Sequence, residues 1–341
     1  MREKTIPLHE PKFYGNEIKY LTSCINSTWV STNGPFIKKF EQQIAKYTKS
    51  KHSIFCINGT HALQISLKVS GVQSNDEVIV PTITFIAPIN AIAYNNAKPI
   101  FMDCDEFFNI DEKKTIEFIE NETVYKNGHT INKKTNKKIK ALIIVHVFGN
   151  AAKFENLIKL CKKKNIKIIE DASEALGTFY KRNNSHVGTL GDFGVISFNG
   201  NKIITSGAGG MILTQNKKLS EKVRYFIYQA KDDSLNFIHN DVGYNFAQTN
   251  LNAALGLAQL ENINEILLAK EELHETYHKR LDLIPHMKLA DVPKYAKNNY
   301  WLNILRIEKK YKQDLLEYLN KRKILVRPIW QLNHLQLKYK S

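Results

Sequence analysis

The segment Ala141-Leu-Ile-Ile-Val is apolar at every position. A strand with one wet face alternates apolar and polar residues. A strand that does not alternate belongs in a sheet covered on both faces, usually a parallel one. The same chain carries further short β-rich runs at Ser53–Ile57, Glu77–Val80, Pro99–Asp103, Ile166–Glu170, Gly194–Phe198 and Gly210–Thr214. Helical patterns lie between many of them, at Thr60–Ser70, Ala87–Asn95, Asp111–Ile119 and Lys153–Lys164. This alternation, from about Ser53 to Ala230, predicts an α/β architecture with a mostly parallel central sheet and helices on both faces.

Two stretches interrupt the rhythm. Residues 121–140 are polar and rich in Lys and Asn, with Gly128 among them, and read as a surface hairpin or loop. Residues 231–249 form a second long connection, and a strong helical pattern follows from Asn250 to about Leu281. The remainder, from Asp282, reads as a small α+β unit. At roughly 150 residues per domain, 341 residues suggest two domains. We place a large domain with an N-terminal arm over 1–250 and a smaller C-terminal domain over 251–341.

Lys and Arg number 49 against 33 Asp and Glu, a formal balance of +16. Such a charge suits nucleic acid or a phosphorylated ligand. The lysines are scattered rather than clustered on one motif, and no helix-turn-helix is evident, so a basic nucleic-acid-binding regulator is the weaker reading. Cys24, Cys56, Cys104 and Cys161 form no CxxC pair, which predicts free thiols and no metal site. The opening MREKTIPLHE lacks an apolar leader core, and no run approaches the ~20 apolar residues of a membrane span. The expectation is a cytoplasmic enzyme that touches neither membrane nor nucleic acid.

Four local signals carry chemistry. Asp171 follows the apolar run Ile168-Ile169 at a strand's carboxyl end, where open α/β sheets bind ligands; alone it reads equally well as a helix N-cap. Lys202 lies five residues after Ser197 and ahead of the glycine-rich turn Gly207-Ala208-Gly209-Gly210. A rigid strand edge of this kind suits a lysine used as a nucleophilic amine. Asn58-Gly59-Thr60 joins a strand to a helix start, whose backbone N–H groups suit a phosphate. Phe85, after Pro81-Thr82-Ile83-Thr84, offers an aromatic face at another strand end. One signal places a phosphate, one stacks a ring, one sets an acid under a ring nitrogen and one supplies an amine. Pyridoxal 5'-phosphate needs all four.

The ordered motifs NGTHAL, PTITF, VHVFGN, EDASEA, SFNGNK, TSGAGGM and VGYN…NLNAALGLAQLE resemble the DegT/DnrJ/StrS sugar-nucleotide aminotransferases, over about Ile6 to Tyr339. The opening LHEPKFYGNE…STWVSTNGPFIKKFE and the form SFNGNKIIT are most similar to the branch making 4-amino sugars for legionaminic-acid-type glycans. The resemblance implies a fold-type-I pyridoxal-phosphate transferase. It implies that Lys202 is the lysine bonding the cofactor's aldehyde, Asp171 the partner of the ring nitrogen, Glu174 the group near the phenolic oxygen and Phe85 the stacking ring. It implies that Gly59, Thr60 and Ser197 hold the phosphate, and that Asn245 reaches the phosphate in a neighbouring subunit, so that a homodimer shares its sites. Ala208 stands where the family often has an acid, and Ala247 where it often has an arginine. Members also usually continue past a segment like 327–339, so a shortened, inactive homologue is one alternative.

The implied reaction moves an amino group from glutamate to the C4 keto group of a nucleotide-linked 4-keto-6-deoxy sugar, with UDP-4-keto-6-deoxy-N-acetylglucosamine as the expected acceptor. Arg327 and His334 are candidates for the diphosphate. A sugar dehydratase of the same family would lack the lysine, and Lys202 argues against it.

Overall fold

A computed structural model describes residues 5–340. In chain order the strands are β1 (His52–Cys56), β2 (Glu77–Pro81), β3 (Lys98–Met102), β4 (Thr123–Lys126), β5 (His129–Asn132), β6 (Lys138–Val145), β7 (Lys167–Asp171), the two-residue β8 (Phe179–Tyr180), β9 (Phe193–Ser197) and β10 (Gly210–Thr214). All but β8 join one sheet with the order β1-β10-β9-β7-β6-β2-β3, and the β4–β5 hairpin attaches to β6 through β5. β10 runs antiparallel to both neighbours. The pairs β9–β7, β7–β6, β6–β2 and β2–β3 are parallel. One edge of the sheet therefore collects the carboxyl ends of β1, β2, β7 and β9 together with the amino end of β10.

Both faces of the sheet are covered. Val78, Val80, Ala141, Ile143, Val145 and Ile169 belong to one buried cluster. Their strand neighbours Ile79, Leu142, Ile144 and Ile168 belong to another. The period-2 split of β2 and β6 between two cores is the physical content of their unbroken apolar sequence. Helices α2 (Pro35–Thr48), α3 (Gly59–Val69), α4 (Ala87–Tyr94) and α7 (Lys217–Ile227) pack on the first face, and α5 (Glu112–Asn121) and α6 (Glu155–Lys163) on the second.

The expected hairpin over 121–140 is present, turning at Gly128 with φ +78°. It is also part of the sheet, since Thr130 pairs with Ile139. The helical pattern from Asn250 is two helices, α8 (Asn250–Glu261) and α9 (Ile263–Leu281). Asn262 separates them; its side-chain amide donates to Ala258 O at 3.2 Å, in competition with the helix ladder. α8 contributes Ala253, Ala254, Leu257 and Leu260 to the first core, whereas α9 buries little beyond Ile263 and His274. Two helices ahead of β1 have no counterpart in the sequence reading: α1 (Glu17–Asn26) and α2, which buries Phe36, Ile37, Phe40 and Ile44 at helical spacing.

After α9 come β13 (Met287–Leu289), β14 (Ala296–Lys297), β15 (Leu305–Ile307) and α10 (Lys309–Lys321). β13 pairs β15, and β14 pairs β8 of the large unit. The connection at 231–249 carries a short ribbon, β11 (Lys231–Asp233) against β12 (Ile238–His239). Among the described residues no helix is long and apolar enough to cross a membrane.

Candidate active site

The sheet edge brings most of the singled-out residues together. Asp171 is the last residue of β7 and 5% exposed. No helix begins after it, so the N-cap alternative does not apply; its Oδ1 instead accepts the Ser173 N–H at 3.1 Å in a local turn. Burial pushes its carboxyl up, with Lys202 and His146 pulling the other way. Its neighbour Glu170 points to the opposite face and has a different job. Its two oxygens accept the N–H groups of Gly188, Leu190 and Gly191, and His146 Nε2 lies 3.1 Å away. Glu170 thereby pins the loop that leads into β9.

Lys202 is carried on a tight loop after β9. Its N–H donates to Asn199 O at 3.0 Å, and Ser206 N–H to Phe198 O at 3.0 Å. Lys202 Nζ lies 3.6 Å from Glu174 Oε1. Glu174 Oε2 accepts the Phe148 N–H at 2.8 Å. Burial raises the Glu174 carboxyl to about 7, against the pull of Lys202. Because its folded value lies above the ordinary 4.5, the folded state binds an extra proton between those limits, and stability falls as pH rises from about 4.5 to 7. A Glu174→Gln cofactor-free protein should therefore gain on wild type across that window. The expected gain is on the order of 3 kcal/mol at pH 8, fading below pH 4.5. Melting temperatures of both proteins at pH 4 to 8 check this, and parallel curves would refute it.

Gly59 opens α3 beside this pair. Asn58 caps the helix by accepting the His61 N–H at 2.9 Å. The N–H groups of Gly59 and Thr60 come before the first intrahelical donor, Ala62 N–H, which bonds Asn58 O at 3.0 Å, and so have no acceptor within the helix. A Cβ on Gly59 would sit 3.1 Å from Ser173 Oγ and 3.2 Å from Ser197 Cβ. Three chain segments thus converge with room there for bare backbone. β10 lies between β1 and β9 and runs antiparallel to both, so the carboxyl ends of those two strands reach the same edge of the sheet.

The other candidates are placed differently. Phe85 lies beyond the end of β2, 54% exposed, with its ring 6.2 Å from Trp330. Asn245 is exposed, and its backbone bridges Tyr228. The residues after it run along the end of β1, where Ile57 N–H donates to Phe246 O at 2.8 Å. Arg327 is exposed. His334 is not free, because its Nδ1 lies 2.6 Å from Thr82 Oγ1.

The sequence reading missed what the small unit contributes. Trp301, 4% exposed, stands with its ring centroid 4.1 Å from Lys202 Nζ. Its Nε1 donates to Asn201 O at 2.7 Å and its N–H to Asn299 Oδ1 at 3.0 Å. No local signal marks it, since the contact joins residues about a hundred positions apart.

Residues 12–341 match the model of the DegT/DnrJ/EryC1/StrS aminotransferase family. GDP-perosamine synthase of Escherichia coli O157:H7 is 36% identical over 335 residues, covering 97% of this chain and 86% of that protein. EpsN of Bacillus subtilis (strain 168), whose name describes a pyridoxal phosphate-dependent aminotransferase, is 32% identical over 337 residues, 98% of this chain and 83% of that protein. Among solved structures, Helicobacter pylori PseC, an aminotransferase involved in the biosynthesis of pseudoaminic acid, superposes with a TM-score of 0.88 at 26% identity, covering 99% of this chain and 88% of its own.

Proposed function

Because the chain belongs to the DegT/DnrJ/EryC1/StrS aminotransferase family, a family of pyridoxal phosphate-dependent sugar aminotransferases, we propose that it moves an amino group from glutamate to the C4 keto group of a nucleotide-linked 4-keto-6-deoxy sugar. The observation that carries the reading is the Lys202–Glu174–Asp171 group at the carboxyl edge of the sheet, facing the glycine start of α3.

The residues present fit the cofactor. The convergence of Gly59, Ser173 and Ser197 leaves a backbone-lined cradle, and helix starts favour a phosphate there. The Gly59 and Thr60 N–H groups and the Ser197 hydroxyl would hold that phosphate, and Phe85 would lie against the ring. When bound, pyridoxal phosphate supplies the aldehyde that takes the amine and a ring that draws electrons from the carbon losing its proton. Asp171 would keep a proton on the ring nitrogen through its charge. Lys202 Nζ would take the proton from the glutamate Cα and carry it across the transferred nitrogen. Glu174 Oε1, 3.6 Å from Nζ, would orient it during that exchange, and the buried Trp301 ring beside Nζ would limit water there.

The acceptor we favour is UDP-4-keto-6-deoxy-N-acetylglucosamine, from the likeness of the opening segment to the legionaminic-acid-type branch. The 36% identity to GDP-perosamine synthase favours a GDP-linked 4-keto-6-deoxy sugar as the second reading. Offering the purified holoenzyme glutamate with each acceptor separates the two. Amination of neither would overturn the function.

We further propose a homodimer in which Asn245 completes the partner's phosphate site. Support comes from the connection that precedes it, where Leu235 in the ribbon's turn is 84% and Val242 beyond the ribbon 73% exposed, apolar surface of the kind a second copy covers. Mixing Lys202→Ala chains with Asn245→Ala chains under exchange conditions should then rebuild one intact site per mixed dimer. Activity is expected to rise above both parents, toward half of normal per mixed dimer. No rise despite demonstrated exchange would place the whole site within one chain.

A further inference from the structure

Two basic groups beside Lys202 have no task in the reaction above. The first is His9. The N-terminal segment is held at two places. Ile6 N–H donates to Lys323 O at 2.8 Å and Leu325 N–H to Ile6 O at 2.9 Å, and further on Gln259 Nε2 donates to Lys12 O at 2.7 Å. His9 lies between these anchors, with its Nδ1 buried and without a hydrogen-bond partner. The second is Lys270, half-buried on α9. Its Nζ donates to Trp301 O at 3.4 Å. The ring of the same Trp301 carries Lys202 Nζ on it. One tryptophan thus spaces two amines, one on its carbonyl and one on its ring.

Charge in this corner is unbalanced. Lys202 has Glu174. Among the described residues no carboxylate forms an ion pair with Lys270. Burial lowers the Lys270 amine to about 8, and burial together with the charges of Lys270 and Lys202 lowers His9 to about 4. A half-buried amine without a counter-ion and a ring nitrogen without a partner both cost stability. A substrate oxyanion bound in this corner would give the amine a counter-ion and the ring nitrogen a partner.

Building on the aminotransferase reading, we propose that Lys270 and His9 form the subsite for an oxyanion of the substrate held at Lys202. Two sources share that chemistry: a carboxylate of the amino donor and a phosphoryl oxygen of the acceptor. The placement around one tryptophan favours the donor, because a carboxylate of a small dicarboxylic acid must lie within a few ångströms of the carbon that meets Lys202.

The test uses the holoenzyme and unreactive probes, so it does not depend on which sugar is aminated. Glutarate has both carboxylates and no amine; UDP and GDP carry the diphosphate alone. Binding of each is measured by calorimetry to wild type, Lys270→Gln and His9→Gln, with the cofactor's visible band and the melting temperature as checks on folding. Lys270→Gln is expected to weaken glutarate at least about tenfold, and His9→Gln about threefold, with the nucleotides unaffected. In wild type, glutarate should also raise the His9 titration followed by NMR. Weakening confined to UDP or GDP would assign the subsite to the acceptor's phosphoryl oxygens. Unchanged affinity for all three probes in folded variants overturns the proposal. Failure to aminate any sugar, with glutarate binding still dependent on Lys270, would instead count against the proposed reaction alone.

Discussion

Lys202→Ala is expected to reduce glutamate-dependent amination about 10²- to 10⁴-fold through the lost proton carrier, and further through the lost nucleophilic amine. The fold should survive. Lys202 is on a loop whose backbone bonds, Lys202 N–H to Asn199 O and Ser206 N–H to Phe198 O, do not involve its side chain. The side chain leaves behind Glu174, already raised to about 7 by burial, which loses a favourable neighbour and is protonated more readily still. The variant should therefore keep wild-type circular dichroism yet lose the cofactor absorbance that borohydride bleaches in the parent. Retained turnover above a trace would remove Lys202 from the chemistry.

Asp171→Asn is the sharper test because it changes so little shape. Asparagine keeps an oxygen for the Ser173 N–H, so the turn after β7 should stand. What vanishes is the negative charge. An amide cannot hold a proton on a ring nitrogen as a carboxylate does, and a loss of about 10²-fold or more in kcat is expected, with a lesser change in KM. The cofactor-free variant should be no less stable than wild type above the ordinary carboxylate range, since burial already raises Asp171. Sign follows from linkage: a carboxyl raised in the folded state costs stability once the pH passes its unfolded value. Near-normal kinetics would mean that Asp171 only shapes the turn.

The sheet was legible because its signal is local. Ala141–Val145 and Ile168-Ile169 are apolar at each position, and the two cores that share them explain why. The acid, the amine and the glycine start were legible because each follows such a strand. Other features were not. Nothing in the sequence tells that Asn262 divides α8 from α9, because apolar spacing continues across it. α1 and α2 carry ordinary amphipathic patterns, and the alternation that guided the reading begins only after them. The contacts of Trp301, Lys270 and His9 are set by how the ends of the chain fold back on its middle, which no window of a few residues contains. His334 is a further case. Its place in a C-terminal segment made it a candidate for the diphosphate, and no local pattern told that its Nδ1 meets Thr82 Oγ1.

That fold-back also bears on how the protein is made. During synthesis the segments of the central sheet, up to Thr214, leave the ribosome well before Lys323, Leu325 and His334 do. The backbone clasp on Ile6 and the tether on Thr82 both wait for those late residues. A nascent chain can therefore complete its sheet before the clasp on Ile6 forms, and the segment that carries His9 is held at both ends only near the end of translation. A polypeptide stalled shortly before residue 323 should already resist protease across β1–β10 while being clipped ahead of α1.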